Sequence, residues 1–114
     1  MTNYQHGHDA EKVAADYLKK LGYKIIELNW KTPRCEIDIV ASKKKTLYFI
    51  EVKYRQTESQ GSGLEYITPA KLRQMAYGAE TYISMNKWPY EYCLAAIGLT
   101  GDDYVVTDFI ETID

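Results

Sequence analysis

"CEIDIVASKKKTLYFIEVKYR", Cys35 to Arg55, is two alternating strand-like runs joined by three lysines. In the first run Cys35, Ile37, Ile39 and Ala41 share a face, and in the second Tyr48, Ile50, Val52 and Tyr54 do. A hairpin brings both sets onto one side of a sheet when Ser42 meets Leu47, as a two- or four-residue turn allows. A slip of one residue would turn every side chain over. In this register Asp38 faces Glu51 and Glu36 faces Lys53, so two carboxylates confront each other across the strands.

Opposed like charges in a sheet destabilise by a few tenths to about 1 kcal/mol, and more when desolvated, unless something neutralises them. A divalent cation does so. Carboxylate oxygens, completed by waters and a substrate phosphate, are the shell that Mg²⁺ takes. The chemistry expected of such a site is phosphodiester hydrolysis, in which the metal polarises the phosphate and activates a water while an ammonium orients that water or balances the developing charge. Lys53, two residues past Glu51 and about 6.6 Å along the same side of the strand, suits the ammonium role. The competing reading is structural: Glu36 and Lys53 form a cross-strand ion pair at a solvated strand end, where Asp38 and Glu51 are merely exposed. An isolated E-x-K triplet would carry only that reading. Asp38, the turn length and Glu51 taken together leave both open.

Outward from the hairpin, His8 to Leu21 repeats apolar residues at three- and four-residue spacing (Ala10, Val13, Ala14, Tyr17, Leu18, Leu21), which predicts an amphipathic helix stopped by Gly22. "YKIIELN" (23–29) is strand-like and makes a three-stranded meander with the hairpin. The polar, glycine-containing stretch Gln56–Gly63 reads as a mobile loop able to fold over a substrate. Thr68 and Pro69 are a helix cap and a first-turn proline, with Leu72, Met75, Ala76, Ala79, Tyr82 and Ile83 as the buried stripe of a helix that ends near "NKWP". "YCLAAIGL" (92–99), the turn "TGDD" and "YVVTDFI" (104–110) close the chain as a second hairpin. The fold class is therefore α/β: a mixed sheet in the order helix, three strands, helix, two strands, with helices packed on it and a strand order that the pattern leaves open.

The 114 residues fit one domain, and an apolar share of 46% supports a real core. No charged-then-apolar leader and no run of roughly 18 apolar residues is present, so a cytoplasmic protein without a membrane span is the expectation. Cys35 and Cys93 lack CxxC spacing and a neighbouring His, which argues against zinc and places both as core thiols. A formal net charge of −2 gives no chain-wide footprint for nucleic acid. Any polyanion contact must be local, at Lys43 to Lys45, at Lys53 with Arg55, or at Lys71 with Arg73, each of which also reads as a solvated turn or helix face. The eleven tyrosines fall mostly at apolar positions and read as core or rim packing rather than as base-stacking platforms. His6 and His8 sit at an N-terminal end that frays, and read as solvent-facing rather than metal-binding.

"EID" with Asp38, followed by "FIEVK" with Glu51 and Lys53, resembles the PD-(D/E)xK signature of the restriction-endonuclease fold. The chain resembles more narrowly the YraN-like family of small bacterial proteins, related to Holliday-junction resolvases. That family's opening pattern G-x-x-G-E-x-x-A-x-x-x-L-x-x-x-G is matched by Gly7, Glu11, Ala14, Leu18 and Gly22, with Ala10 in place of the second glycine. "NWK" (29–31), "CEIDIVA", "YFIEVKYR" and Lys71 echo its later segments. Cys35 stands where glycine is usual, and Glu91 and Cys93 replace an arginine and an aspartate.

The resemblance implies an α/β nuclease core and a Mg²⁺- or Mn²⁺-dependent endonuclease acting on DNA, branched or single-stranded. It makes Asp38 and Glu51 metal ligands together with the Val52 carbonyl, and Lys53 the catalytic lysine. Glu11 would be an additional acidic group reaching the metal directly or through water; alternatively it is a carboxylate placed favourably near a helix N-terminus. Lys43, Lys44, Arg55, Lys71 and Arg73 are the candidate DNA contacts. Cutting both strands of a junction needs two sites, which raises a homodimer, though no interface is legible. The alternative function is a non-catalytic nucleic-acid or protein binding module that keeps the nuclease fold.

Overall fold

Two helices and five strands follow one another as α1 (Asn3–Lys20), β1 (Lys24–Thr32), β2 (Cys35–Lys43), β3 (Thr46–Arg55), α2 (Pro69–Asn86), β4 (Tyr92–Thr100) and β5 (Val105–Ile110). The computed structural model describes residues 3–57 and 67–113. Of the polar stretch expected to be a loop, Gln56 and Thr57 fall within that range and the remainder lies outside the described residues. The side chain of His6 also lies outside the described part.

Local chemistry sets the helix ends. Gly22 adopts φ +96, and the N–H groups of Gly22 and Tyr23 donate to the carbonyls of Lys19 and Leu18, both at 3.0 Å. This paired pattern closes α1, with Tyr23 packing in the same cluster as Leu18. At the start of α2, Thr68 Oγ1 accepts the Lys71 N–H at 3.1 Å, and Pro69 fills a position whose N–H would have had no helical partner. Lys87 ends α2 in the left-handed region at φ 52.

The five strands form one sheet in the order β1-β2-β3-β4-β5. All neighbours are antiparallel except β3 and β4, which run parallel because α2 carries the chain back across the sheet. The helices take opposite faces. Ala10, Ala14 and Leu18 of α1 pack on Ile39, Ala41, Ile50, Ala95, Ile97 and Leu99. Ala79 and Tyr82 of α2 pack with Val40, Leu47 and Phe49, and Met75 with Ala96 and Ile113. Most tyrosines serve this packing, as expected, while Tyr77, Tyr90 and Tyr92 are exposed. Cys35 is buried and Cys93 only partly so, and both are free thiols.

The β2–β3 hairpin holds the predicted register from Lys43↔Thr46 to Ile39↔Ile50, with Lys44 and Lys45 as a two-residue turn. It does not continue further. Asp38 and Glu51 are not a ladder pair, and Glu36 lies opposite Lys31 of β1, 3.8 Å between Nζ and Oε2, instead of opposite Lys53. The single apolar face expected for Cys35, Ile37, Ile39 and Ala41 is also broken. Ile39 and Ala41 pack beneath α1, whereas Ile37 packs under α2, near Gly78. The change of face coincides with Asn29, which adopts φ 54 on β1 at the point where a partner for Asp38 would be, and the β1–β2 ladder skips that pair. Asn tolerates the left-handed region better than most residues because its short polar side chain can hydrogen-bond locally.

A candidate metal and phosphate cleft at the hairpin fork

Where the β2–β3 ladder stops, a side chain takes over from the backbone. The Val52 N–H donates to Asp38 Oδ2 at 2.8 Å, so the carboxylate occupies the place a strand carbonyl would have held. Past this fork β3 stays paired with β4 as far as Arg55↔Thr100, and the space left on the β2 side is a cleft of about 650 Å³. Asp38, Glu51, Val52 and Lys53 line it from the hairpin, Glu11 from α1 and Lys71 from α2. Asp38 and Glu51 therefore open onto the same space although they are not a cross-strand pair.

The electrostatics follow from crowding acids in a half-buried place. Asp38 is pushed up to about 8, first by burial and next by the charge of Glu51, against the lowering effect of the Val52 N–H. Glu11 is also raised, mainly by burial; Asn29 and His8 lower it, and Glu36 and Glu51 raise it. Glu11 Oε1 is buried without a hydrogen-bond partner, with His8 Nδ1 3.9 Å away. Glu51 has a cation beside it: Lys71 Nζ lies 3.2 Å from Oε2. Thr68 makes that contact available, because its cap fixes Lys71 in the first turn of α2.

The candidate residues divide by location. Asp38, Glu51, Val52, Lys53, Glu11 and Lys71 come together in the cleft. Lys43 and Lys44 do not: they sit at the turn end of the hairpin, where Lys43 Nζ lies 4.7 Å from the centroid of the Tyr23 ring. Arg55 closes β3 beside Thr100, its carbonyl accepting the Gly101 N–H at 3.1 Å. Arg73 lines a separate groove with Leu72, Cys93 and Ile113. Two contributors escaped the sequence reading. Asn29 carried the signal of a left-handed-tolerant residue inside a strand pattern, and Lys71 was placed as a DNA contact rather than as the partner of Glu51.

The donor set decides which ions suit the cleft. Among the described residues no three His, Cys, Asp or Glu side chains are grouped closely enough to hold a metal by themselves. Two hard carboxylates that leave most of the shell to water and substrate fit Mg²⁺ or Mn²⁺ rather than zinc. Among the described residues, Glu11 Oε1 is the one buried side-chain polar atom without a hydrogen-bond partner, which leaves it open to a further ligand in this cleft.

A mixed α/β sheet forked at two carboxylates, with lysines entering from β3 and α2, describes the molecule as a class. Residues 10–105 match the model of the uncharacterised protein family UPF0102, and the chain belongs to that family, the one to which its YraN-like resemblance pointed. It is 38% identical to the UPF0102 protein of Wolinella succinogenes over 110 residues, 94% of each chain. It is 35% identical to the UPF0102 protein of Cytophaga hutchinsonii over 106 residues, 93% of this chain and 94% of that one. The match to the UPF0102 protein of Desulfosudis oleivorans is 47% identical over 79 residues and spans 69% of this chain but 64% of the relative's length. No helix among the described residues is long and apolar enough to cross a membrane.

Proposed function

We propose that the protein is a metal-dependent endonuclease that hydrolyses phosphodiester bonds in DNA. The observation that carries this reading is the meeting of Asp38 and Glu51 in one cleft at the end of the β2–β3 ladder, beside Lys53 and Lys71. Asp38 and Glu51, with the Val52 carbonyl, would hold Mg²⁺ or Mn²⁺. When bound, the ion supplies Lewis-acid polarisation of the phosphate and a more acidic water. The chain supplies the rest. The hydrogen bond from Val52 fixes Asp38 against rotation, and Lys53 stands on the same strand, two residues past Glu51, to orient the attacking water and offset developing charge. Glu11 is set to take a proton or a water, since burial keeps its proton affinity high. Lys71 neutralises Glu51 in the absence of a cation and is free to turn to a substrate phosphate once one is present.

The non-catalytic binding module is favoured by that same ion pair, because a lysine already satisfies Glu51. Branched, linear and single-stranded DNA incubated with Mg²⁺ or Mn²⁺, against a chelator control, separates the two. Cleavage that requires the cation and vanishes in Asp38→Asn and Glu51→Gln supports the nuclease. Cleavage that persists in both variants comes from elsewhere and removes the reading. A melting temperature raised by Mg²⁺ without any cleavage supports the module.

A further inference from the structure

The opposite end of the same hairpin carries a second feature. Lys44 and Lys45 form the two-residue turn at φ 52 and φ 67, positions at which Asn-Gly or Asp-Gly is the favoured pair. Lys87, just before Trp88, is left-handed as well at φ 52, where a helix end favours glycine. These lysines are exposed, and among the described residues none of them makes an ion pair. A hollow of about 520 Å³ joins the turn to the α2–β4 connection, lined by Lys44, Lys45, Pro89, Tyr90 and Glu91. Tyr90 is 52% exposed, packs edge-on against Trp88 with centroids 5.4 Å apart, and carries Lys45 Nζ 5.5 Å from its ring centroid. The platform is held firmly: the Glu91 carbonyl accepts both the Trp88 indole N–H and the Leu47 backbone N–H, each at 3.0 Å.

We infer that this end of the molecule is a binding site for single-stranded nucleic acid, with an unpaired base stacked on Tyr90 and the flanking phosphates held by Lys44 and Lys45. An exposed ring held by its neighbours, with unpaired ammonium groups beside it, is the combination that recognises a strand without reading its sequence. Cations held at backbone positions that a smaller residue would fill with less strain indicate that the charges, not the turn, are what those positions supply. Glu91 repels phosphate and so confines the backbone to the lysine side of the ring. The patch begins just past Lys43, the end of β2, which is about 17 Å along the strand from Asp38, and it shares no lining residue with the cleft. The inference does not depend on the cleft being catalytic.

The test is fluorescence anisotropy of a labelled oligothymidylate of about 20 nucleotides, a length that spans several stacked bases, with a chelator present so that nothing is cut. Lys44→Asn/Lys45→Gly should weaken binding about ten-fold or more and lower the dependence of log affinity on log salt by about 1.4. Its melting temperature should not fall, because the new pair suits the turn. Tyr90→Ala, at an exposed position, should weaken binding by about five-fold or more. Introduced into Asp38→Asn protein, the lysine and tyrosine substitutions should weaken binding by the same factors as in the wild type, which separates loss of this site from loss of the cleft. Unchanged affinity in the lysine and tyrosine variants would overturn the site. So would a duplex bound as tightly as the single strand, or polyglutamate displacing the oligonucleotide at equal charge concentration.

Discussion

The two ends of the β2–β3 hairpin differ in how their backbone hydrogen bonds finish. At one end the ladder closes through Lys43↔Thr46 and a strained lysine pair. At the other it stops at Ile39↔Ile50, and the Asp38 carboxylate accepts the Val52 N–H in its place. A closed end presents its side chains outward to solvent, which suits cations. A forked end admits side chains from both helices, and acids gathered there raise one another's proton affinity. One supersecondary unit is thus basic where it is closed and acidic where it is open.

The largest expected effect lies at the fork. Asp38→Asn or Glu51→Gln should reduce metal-dependent cleavage by at least about 10²-fold, read from initial rates on the best DNA substrate. The Lys44→Asn/Lys45→Gly protein should keep the cation requirement of that cleavage, and a shift in the requirement would show that the two ends are not independent.

Next in size is the ion pair between Lys71 and Glu51. Lys71→Met should destabilise the metal-free protein by about 1–2 kcal/mol, since the partly buried Glu51 carboxylate then loses the ammonium that lies 3.2 Å from its Oε2. The same variant should show a larger Mg²⁺-induced rise in melting temperature, because the ion no longer competes with an ammonium. A smaller rise would mean that Lys71 helps to hold the ion or its waters.

Protonation gives a further contrast. Asp38 is raised in the folded protein, so between its ordinary value of 3.8 and about 8 the unfolded chain loses a proton that the folded chain keeps. The contribution of Asp38 to metal-free stability should therefore be greatest below the lower value, fall as pH rises through this window, and level off above it. Denaturant titrations at several pH values would show the slope, which Asp38→Asn should flatten. Added Mg²⁺ should also flatten it by displacing the proton.

The smallest effect belongs to the closed end. Replacing the strained lysine pair with Asn-Gly should stabilise the fold by about 1 kcal/mol, measured by denaturant midpoint at constant slope. A loss of stability would mean that the lysine stems pack against Tyr90 strongly enough to outweigh the turn.

Alternation made β2 and β3 legible along with their register near the turn, and the Thr68-Pro69 pair marked the start of α2 to the residue. Alternation could not reveal the flip at Asp38. That flip lies opposite the left-handed Asn29, nine residues away on another strand, and a strand's own period carries no information about its neighbour's backbone. The acids Asp38, Glu51 and Glu11 were legible as chemical types, but the route by which they meet was not. They meet because the ladder ends and both helices reach its edge, rather than through a cross-strand pair.

The amino-acid order by itself determined the kinds and order of the elements, the Gly22 stop of α1 and the Thr68 cap of α2, the hairpin register next to its turn, and the acidic and basic residue sets, while α1 begins at Asn3 rather than His8. Those are consequences of side-chain periodicity and of backbone preferences acting within a few residues. Only the tertiary structure decided that β4 runs parallel beside β3, that Lys71 settles on Glu51, and that Lys44 and Lys45 lie next to Tyr90. Each of these joins parts of the chain about twenty residues or more apart, and such contacts depend on packing across the whole sheet rather than on any local preference.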